Sequence, residues 1–174
     1  RMPTVPDTAT AGEITLTRQQ KRAYDGINGL IKKKKAAAAL LYGVTGSGKT
    51  SVYINLIKSV IAQGRKAMVL VPEIALTPQL VSIFSGHFGG GIAVLHSSLK
   101  LGERHDEWKR IREGKVDVVV GARSAVFAPL DNIGLIILDE EQESSYKSES
   151  NPRYHARDVA KFRCVQHAAV LLLG

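Results

Sequence analysis

Six short apolar runs punctuate the chain: AALLYG (38–43), AMVLVP (67–72), IAVLH (92–96), VDVVVG (116–121), LIILD (135–139) and AVLLLG (169–174). Helical patterns fill most of the gaps between them, at 49–63, 76–88, 102–113 and 155–167. Runs this short and this apolar, without polar alternation, read as strands buried on both faces. Strands of that kind lie parallel, and parallel neighbours need crossovers, which right-handed helical connections supply. The expected fold class is therefore α/β, a doubly wound and mainly parallel sheet with helices on both faces. In such sheets ligands sit beyond the carboxyl ends of the strands, so chemistry is sought in the residues that follow each run.

At 174 residues with 44% hydrophobic content, the chain is the size of one domain with a full core. Residues 1–13 are rich in Pro, Thr and Ala without a period and read as a linker or trimmed edge; 14–174 form the domain. No run approaches the roughly 20 apolar residues of a membrane-spanning helix. The start has no apolar stretch like that of a signal peptide, so the expected location is cytoplasmic, with no membrane partner. The single cysteine, Cys164, can form neither an internal disulfide nor a thiolate cage and is expected to pack inward. The net charge of +8 permits attraction to a polyanion without specifying one. Its densest run, Lys32 to Lys35, follows a helical pattern (Gln20, Ala23, Ile27, Leu30, Ile31), where cations suit the negative end of the helix dipole.

The first apolar run leads into Gly43-Val44-Thr45-Gly46-Ser47-Gly48-Lys49-Thr50, a full match to G-x-x-x-x-G-K-[ST] between strand and helix. Glycines let the backbone wrap closely around phosphates, so Gly43, Thr45, Gly46, Ser47 and Gly48 are expected to cradle them. Lys49 neutralises the β and γ phosphates and Thr50 offers a hydroxyl to Mg²⁺. The fifth run delivers Asp139 and Glu140 to the same sheet edge. A strand-end Asp suits the magnesium shell, and an adjacent Glu can position and activate an attacking water. Because a kinase needs no such Glu, the pair favours hydrolysis, with Lys49, Asp139 and Glu140 as catalytic residues. The competing reading of the acidic cluster 139–143 is a solvated loop. Upstream, LTRQQ places Gln20 before the first strand, where its amide can pair with the donor and acceptor edge of adenine or lie on a helix surface.

Five segments carry a more specific likeness: GVTGSGKTSVY (43–53), LVPEIALTPQL (70–80), LHSSLKLGERHDEWKRIREGKVDVVVGARSAVFAP (95–129), LIILDEEQESSYK (135–147) and PRYHARDVA (152–160). In these the chain resembles the first RecA-like motor lobe of the PriA (primosomal protein N′) family of superfamily 2 DNA helicases. The resemblance implies an ATP- and Mg²⁺-dependent 3′ to 5′ helicase that restarts stalled replication forks by primosome assembly in the bacterial cytoplasm, associated with the nucleoid. Single-stranded and forked DNA, primosome proteins and single-strand-binding protein are the implied partners.

The resemblance also implies a DNA track. Pro72, Glu73, Ile74, Thr77 and Gln79 follow the second strand, and Gly121, Arg123 and Ser124 follow the fourth, with Arg123 as the charged contact. Tyr146, Lys147, Arg153 and Tyr154 correspond to an aromatic-rich loop that links DNA to hydrolysis, and aromatic faces beside cations suit unpaired bases. Gln142 and His155 fall at coupling positions. The family usually reads DEEH and GTRSA where this chain has Gln142 and Ala122. Gln142 keeps hydrogen bonding without a titratable charge, and Ala122 lacks a hydroxyl. Family zinc is held by cysteines in a later segment, so no zinc is expected here. The sequence stops where the family continues to a second lobe with an arginine finger; the isolated lobe is expected to hydrolyse slowly or not at all. The alternative is a non-catalytic nucleotide- and DNA-binding module.

Overall fold

A computed structural model describes residues 12–42 and 48–174. Most of the 1–13 linker and the phosphate-loop positions Gly43, Thr45, Gly46 and Ser47 lie outside the described residues. The elements are α1 (Arg18–Lys32), β1 (Ala37–Leu40), α2 (Gly48–Ala62), β2 (Lys66–Leu70), α3 (Pro78–Phe88), β3 (Ile92–Leu95), α4 (Leu101–Arg112), β4 (Val118–Gly121), β5 (Ile133–Leu138), α5 (Ala156–His167) and β6 (Val170–Leu173). The six strands make one sheet in the order β1-β6-β5-β2-β4-β3, and every pairing is parallel. The expected α/β architecture is present, with element bounds within a few residues of those read from the pattern.

Two apolar layers flank the sheet. On one face α1, α2 and α3 contribute Ile31, Leu56, Ile57 and Phe84 against Val69, Val120 and Ile137. On the other, α4 and α5 contribute Ile111, Ala160 and Cys164 against Met68, Val119 and Ile136. The alternation of faces along each strand follows from the two-residue side-chain period. β5 is buried at all six residues, which is why LIIL carries no polar position. One strand departs from expectation: β1 alternates half-buried with exposed residues, and Leu40 is 60% exposed. It lies at the sheet edge and pairs only with β6, so one flank has no neighbour strand among the described residues.

Local chemistry sets the helix ends that face the carboxyl edge. Thr17 caps α1 through a reciprocal box with Gln20, its hydroxyl accepting from the Gln20 amide at 3.2 Å while Gln20 Oε1 accepts from the Thr17 N–H at 2.8 Å. Thr77 caps α3 by accepting from the Leu80 N–H at 3.2 Å, and Pro78 takes the first helical position, where its missing N–H costs nothing. A single 3-10 turn, Glu73–Ala75, precedes that cap, so α3 begins two residues later than the pattern expected. Cys164 is buried as expected, and burial pushes its thiol up to about 12, which makes it inert packing. Among the described residues, no helix is long and apolar enough to cross a membrane.

Candidate active site

The carboxyl edge of the sheet gathers the residues that the sequence marks. β5 ends at Leu138 and the backbone turns at once: Asp139 follows, its N–H donating to the Leu70 carbonyl at 2.9 Å, and Glu140 takes a left-handed conformation at φ 51°. A non-glycine residue there costs roughly 1–3 kcal/mol and persists only where its surroundings hold it. Glu140 is held on both sides. Its Oε1 lies 3.9 Å from Lys49 Nζ on α2, and its Oε2 accepts from Gln142 Nε2 at 2.8 Å. The bend thus turns Glu140 toward the helix that follows the phosphate loop.

Asp139 is gripped by two tyrosines from opposite faces of the sheet. Tyr53, on α2, donates its hydroxyl to Asp139 Oδ1 at 2.7 Å. Tyr146, after β5, donates to the main-chain carbonyls of Asp139 (2.5 Å) and Leu70 (3.0 Å). Both rings are buried, and burial together with the carboxylate of Asp139 pushes both phenols far above their ordinary value, so each stays a proton donor. Gly174 completes the grip, because a Cβ at that position would occupy the space of the Tyr53 hydroxyl.

Tyr146 corrects an expectation. With 0% exposure its ring cannot stack on a base; it is a structural brace under Asp139. Pro72 and Gly121 are likewise buried and offer no surface to a strand of DNA. Gly121 is needed for close approach, since a Cβ there would press into Ala125 and come within 2.7 Å of the Leu95 carbonyl oxygen. Glu73, Ile74, Gln79, Ser124, Lys147 and Arg153 are exposed along the edge, while Thr77 and Tyr154 are half-buried there.

Arg123 faces the loop after β5. Its Nη1 donates to the Ser145 and Lys147 carbonyls at 3.1 and 3.0 Å, and its guanidinium lies 5.9 Å from the centre of the Tyr154 ring. It ties the segment after β4 to the loop after β5, so the charged group expected to contact DNA at this position is already engaged within the protein. His155 caps α5 by accepting from the Arg157 N–H at 3.1 Å, and Arg157 lies 3.6 Å from Glu141. Gln20 donates through Nε2 to the Gly48 carbonyl at 3.1 Å, joining the α1 cap to the start of α2.

Two contributors escaped the sequence reading. Tyr53 stands four residues after Lys49, one helical turn along the same face, and that spacing was the available signal. Ser97 donates its hydroxyl to Glu73 Oε1 at 2.5 Å, tying the segment after β2 to that after β3; nothing in the linear sequence pairs positions 73 and 97.

Asp139 and Thr50 are a sparse oxygen set, as magnesium requires when substrate phosphates and water fill the rest of its octahedron. Among the described residues, no group of three or more His, Cys, Asp or Glu could hold a metal unaided. The residues present fit a nucleotide-borne magnesium ion.

The DEAD/DEAH box helicase family pattern matches residues 17–173, and the chain belongs to that family, whose members use nucleotide. Within it the lobe is of the PriA type. It is 51% identical over 161 residues to the replication restart protein PriA of Bacillus subtilis, covering 92% of this chain and 20% of that protein. It is 46% identical over 159 residues to PriA of Treponema pallidum, covering 91% and 24%. The chain therefore spans between a fifth and a quarter of the length of these curated relatives. Among solved structures, RecG bound to a three-way DNA junction superposes with a TM-score of 0.62 at 24% identity, covering 92% of this chain and 21% of that one; the likeness establishes the RecA-like fold.

Proposed function

We propose that this lobe binds and hydrolyses ATP as the first motor domain of a 3′ to 5′ DNA helicase that restarts stalled forks. The observation that carries the reading is Glu140: a strand-end carboxylate held off its strand axis between Lys49 at 3.9 Å and Gln142 at 2.8 Å. Lys49 leaves Glu140 for the phosphates of an arriving nucleotide, which frees the carboxylate to take a proton from the attacking water as the terminal phosphoryl group departs. Asp139 and Thr50 would hold Mg²⁺, which supplies charge neutralisation on the phosphate oxygens. Gln20 reads adenine with the amide hydrogen that Gly48 does not take.

Single-stranded DNA runs over Glu73, Ile74, Thr77, Gln79 and Ser124, with Lys147, Arg153 and Tyr154 at its margin. Gln142 and His155 lie at the two ends of the loop that couples the strand to hydrolysis. In the whole protein, forked DNA, primosome proteins and single-strand-binding protein are the partners, in the bacterial cytoplasm at the nucleoid. The test is ATPase and strand separation by the full-length protein. Stimulation by single-stranded DNA with unwinding from a 3′ tail is the expected result, and ATPase indifferent to DNA would overturn the reading.

A further inference from the structure

A cavity of about 180 Å³ opens between the carboxyl ends of β3 and β4 and the start of α4, lined by Leu95, His96, Arg104, Trp108, Ser124 and Phe127. It is separate from the nucleotide site, and its rim shares Ser124 with the proposed DNA track. Its floor is apolar, because Leu95 is 7% exposed and packs against the sheet. Aromatic groups form its walls: Trp108 is half-buried, and Phe127, 45% exposed, meets the Tyr154 ring edge-on at 4.8 Å. The Arg123 guanidinium lies 5.9 Å from the centre of that same Tyr154 ring, extending the cluster toward the loop after β5.

The arginine in the lining differs from its neighbours. Arg110 is committed to Glu107 and the Gly90 carbonyl, and Arg123 to two loop carbonyls. Arg104 is exposed, and its guanidinium has no ion pair or hydrogen bond among the described residues. A free cation at the mouth of a recess with an apolar floor and aromatic walls matches the chemistry of a nucleotide with an unstacked base: the base enters the recess and the phosphate stays at the mouth.

We propose that this cavity seats one unpaired nucleobase of single-stranded DNA, with Trp108 and Phe127 packing on the base and Arg104 on its flanking phosphate. The seat rests on the DNA-binding reading above and adds to it a fixed register, one base gripped beside a track that otherwise touches backbone. Stacking platforms of this kind tolerate every base, so the seat imposes position without sequence preference.

The full-length protein is irradiated with oligothymidylate in which iodouracil replaces thymine, and the crosslinked residues are identified by mass spectrometry. Crosslinks at Trp108 or Phe127 are expected. Trp108→Ala should weaken single-strand binding by about tenfold, in the range of one lost base-stacking contact, while Trp108→Phe, which keeps an aromatic face, stays within about threefold. Arg104→Gln, which loses a phosphate contact, should weaken binding several-fold and make it less sensitive to salt. Arg104 is exposed, so its variant reports on binding even where Trp108→Ala perturbs the fold. Crosslinks confined to 73–79 and 123–124, with wild-type affinity in Arg104→Gln, would overturn the seat and leave the helicase reading standing. A wild-type protein showing neither crosslinks nor DNA-stimulated ATPase would overturn both.

Discussion

The Tyr53 hydroxyl donates to Asp139 Oδ1 at 2.7 Å across the junction of α2 and β5, from the helix that also carries Lys49 and Thr50. On the reading proposed above, one helix would present the cation for the phosphates (Lys49), a hydroxyl for the metal (Thr50) and the group that orients the Asp139 carboxylate (Tyr53). Tyr53→Phe removes only the hydroxyl from a buried ring. It is expected to raise the magnesium concentration needed for half-maximal ATPase by roughly tenfold, as loss of an outer-shell partner does. Titrating full-length wild type and variant with magnesium at saturating ATP checks it; identical curves would remove Tyr53 from this role.

Tyr146 holds Asp139 from the opposite side through main-chain carbonyls. Tyr146→Phe should destabilise the lobe by about 1 kcal/mol, and Tyr146→Ala by about 3–5 kcal/mol, because a fully buried ring leaves a cavity. Urea denaturation measures both. Single-strand affinity in Tyr146→Phe should match wild type, as the ring does not reach the surface.

Arg123 tethers the loop after β5 to the end of β4 by two charge-assisted hydrogen bonds, at 3.1 and 3.0 Å. Arg123→Ala should loosen that loop, giving faster amide exchange over 144–155 with exchange in β5 unchanged. Hydrogen-exchange mass spectrometry resolves the two segments.

Burial holds the imidazoles of both His87 and His167 below their ordinary value; Lys58 adds to this at His87, and Arg163 and Arg65 add to it at His167, with Asp131 opposing. A histidine depressed in the folded state takes up its proton first in the unfolded chain, so the unfolded state binds more protons just below the ordinary value. Stability is full above about pH 6.5 and falls as pH drops below it. The urea midpoint should therefore decrease between about pH 7.5 and about pH 5.5, and His167→Gln should flatten part of that slope.

The sheet was legible because strands buried on both faces leave unbroken apolar runs, and LIIL before Asp139 is the purest case: all six residues of β5 are buried. Edge position was not legible, since AALL reads like a central strand and only the strand order reveals that β1 has one partner among the described residues. Lys49, Thr50, Asp139 and Glu140 could be placed at one edge because strand-end geometry follows from the α/β pattern. The fate of aromatic and basic residues in the loop could not. Tyr146 and Tyr154 look alike in sequence, yet one lies under the sheet edge and the other on it. Arg123 looks like a phosphate contact until the loop carbonyls of Ser145 and Lys147 are in place beside it. Such choices depend on long-range packing, which no local pattern encodes.

The central claim is that Glu140, held between Lys49 and Gln142, is the base of hydrolysis. The most direct measurement is single-turnover ATP hydrolysis by the full-length protein and Glu140→Gln in the presence of single-stranded DNA, with ATP affinity measured in parallel. The account expects ATP affinity within a few-fold of wild type and a hydrolysis rate lowered by about 10² to 10⁴, as for loss of a general base. Hydrolysis at the wild-type rate in Glu140→Gln would contradict it.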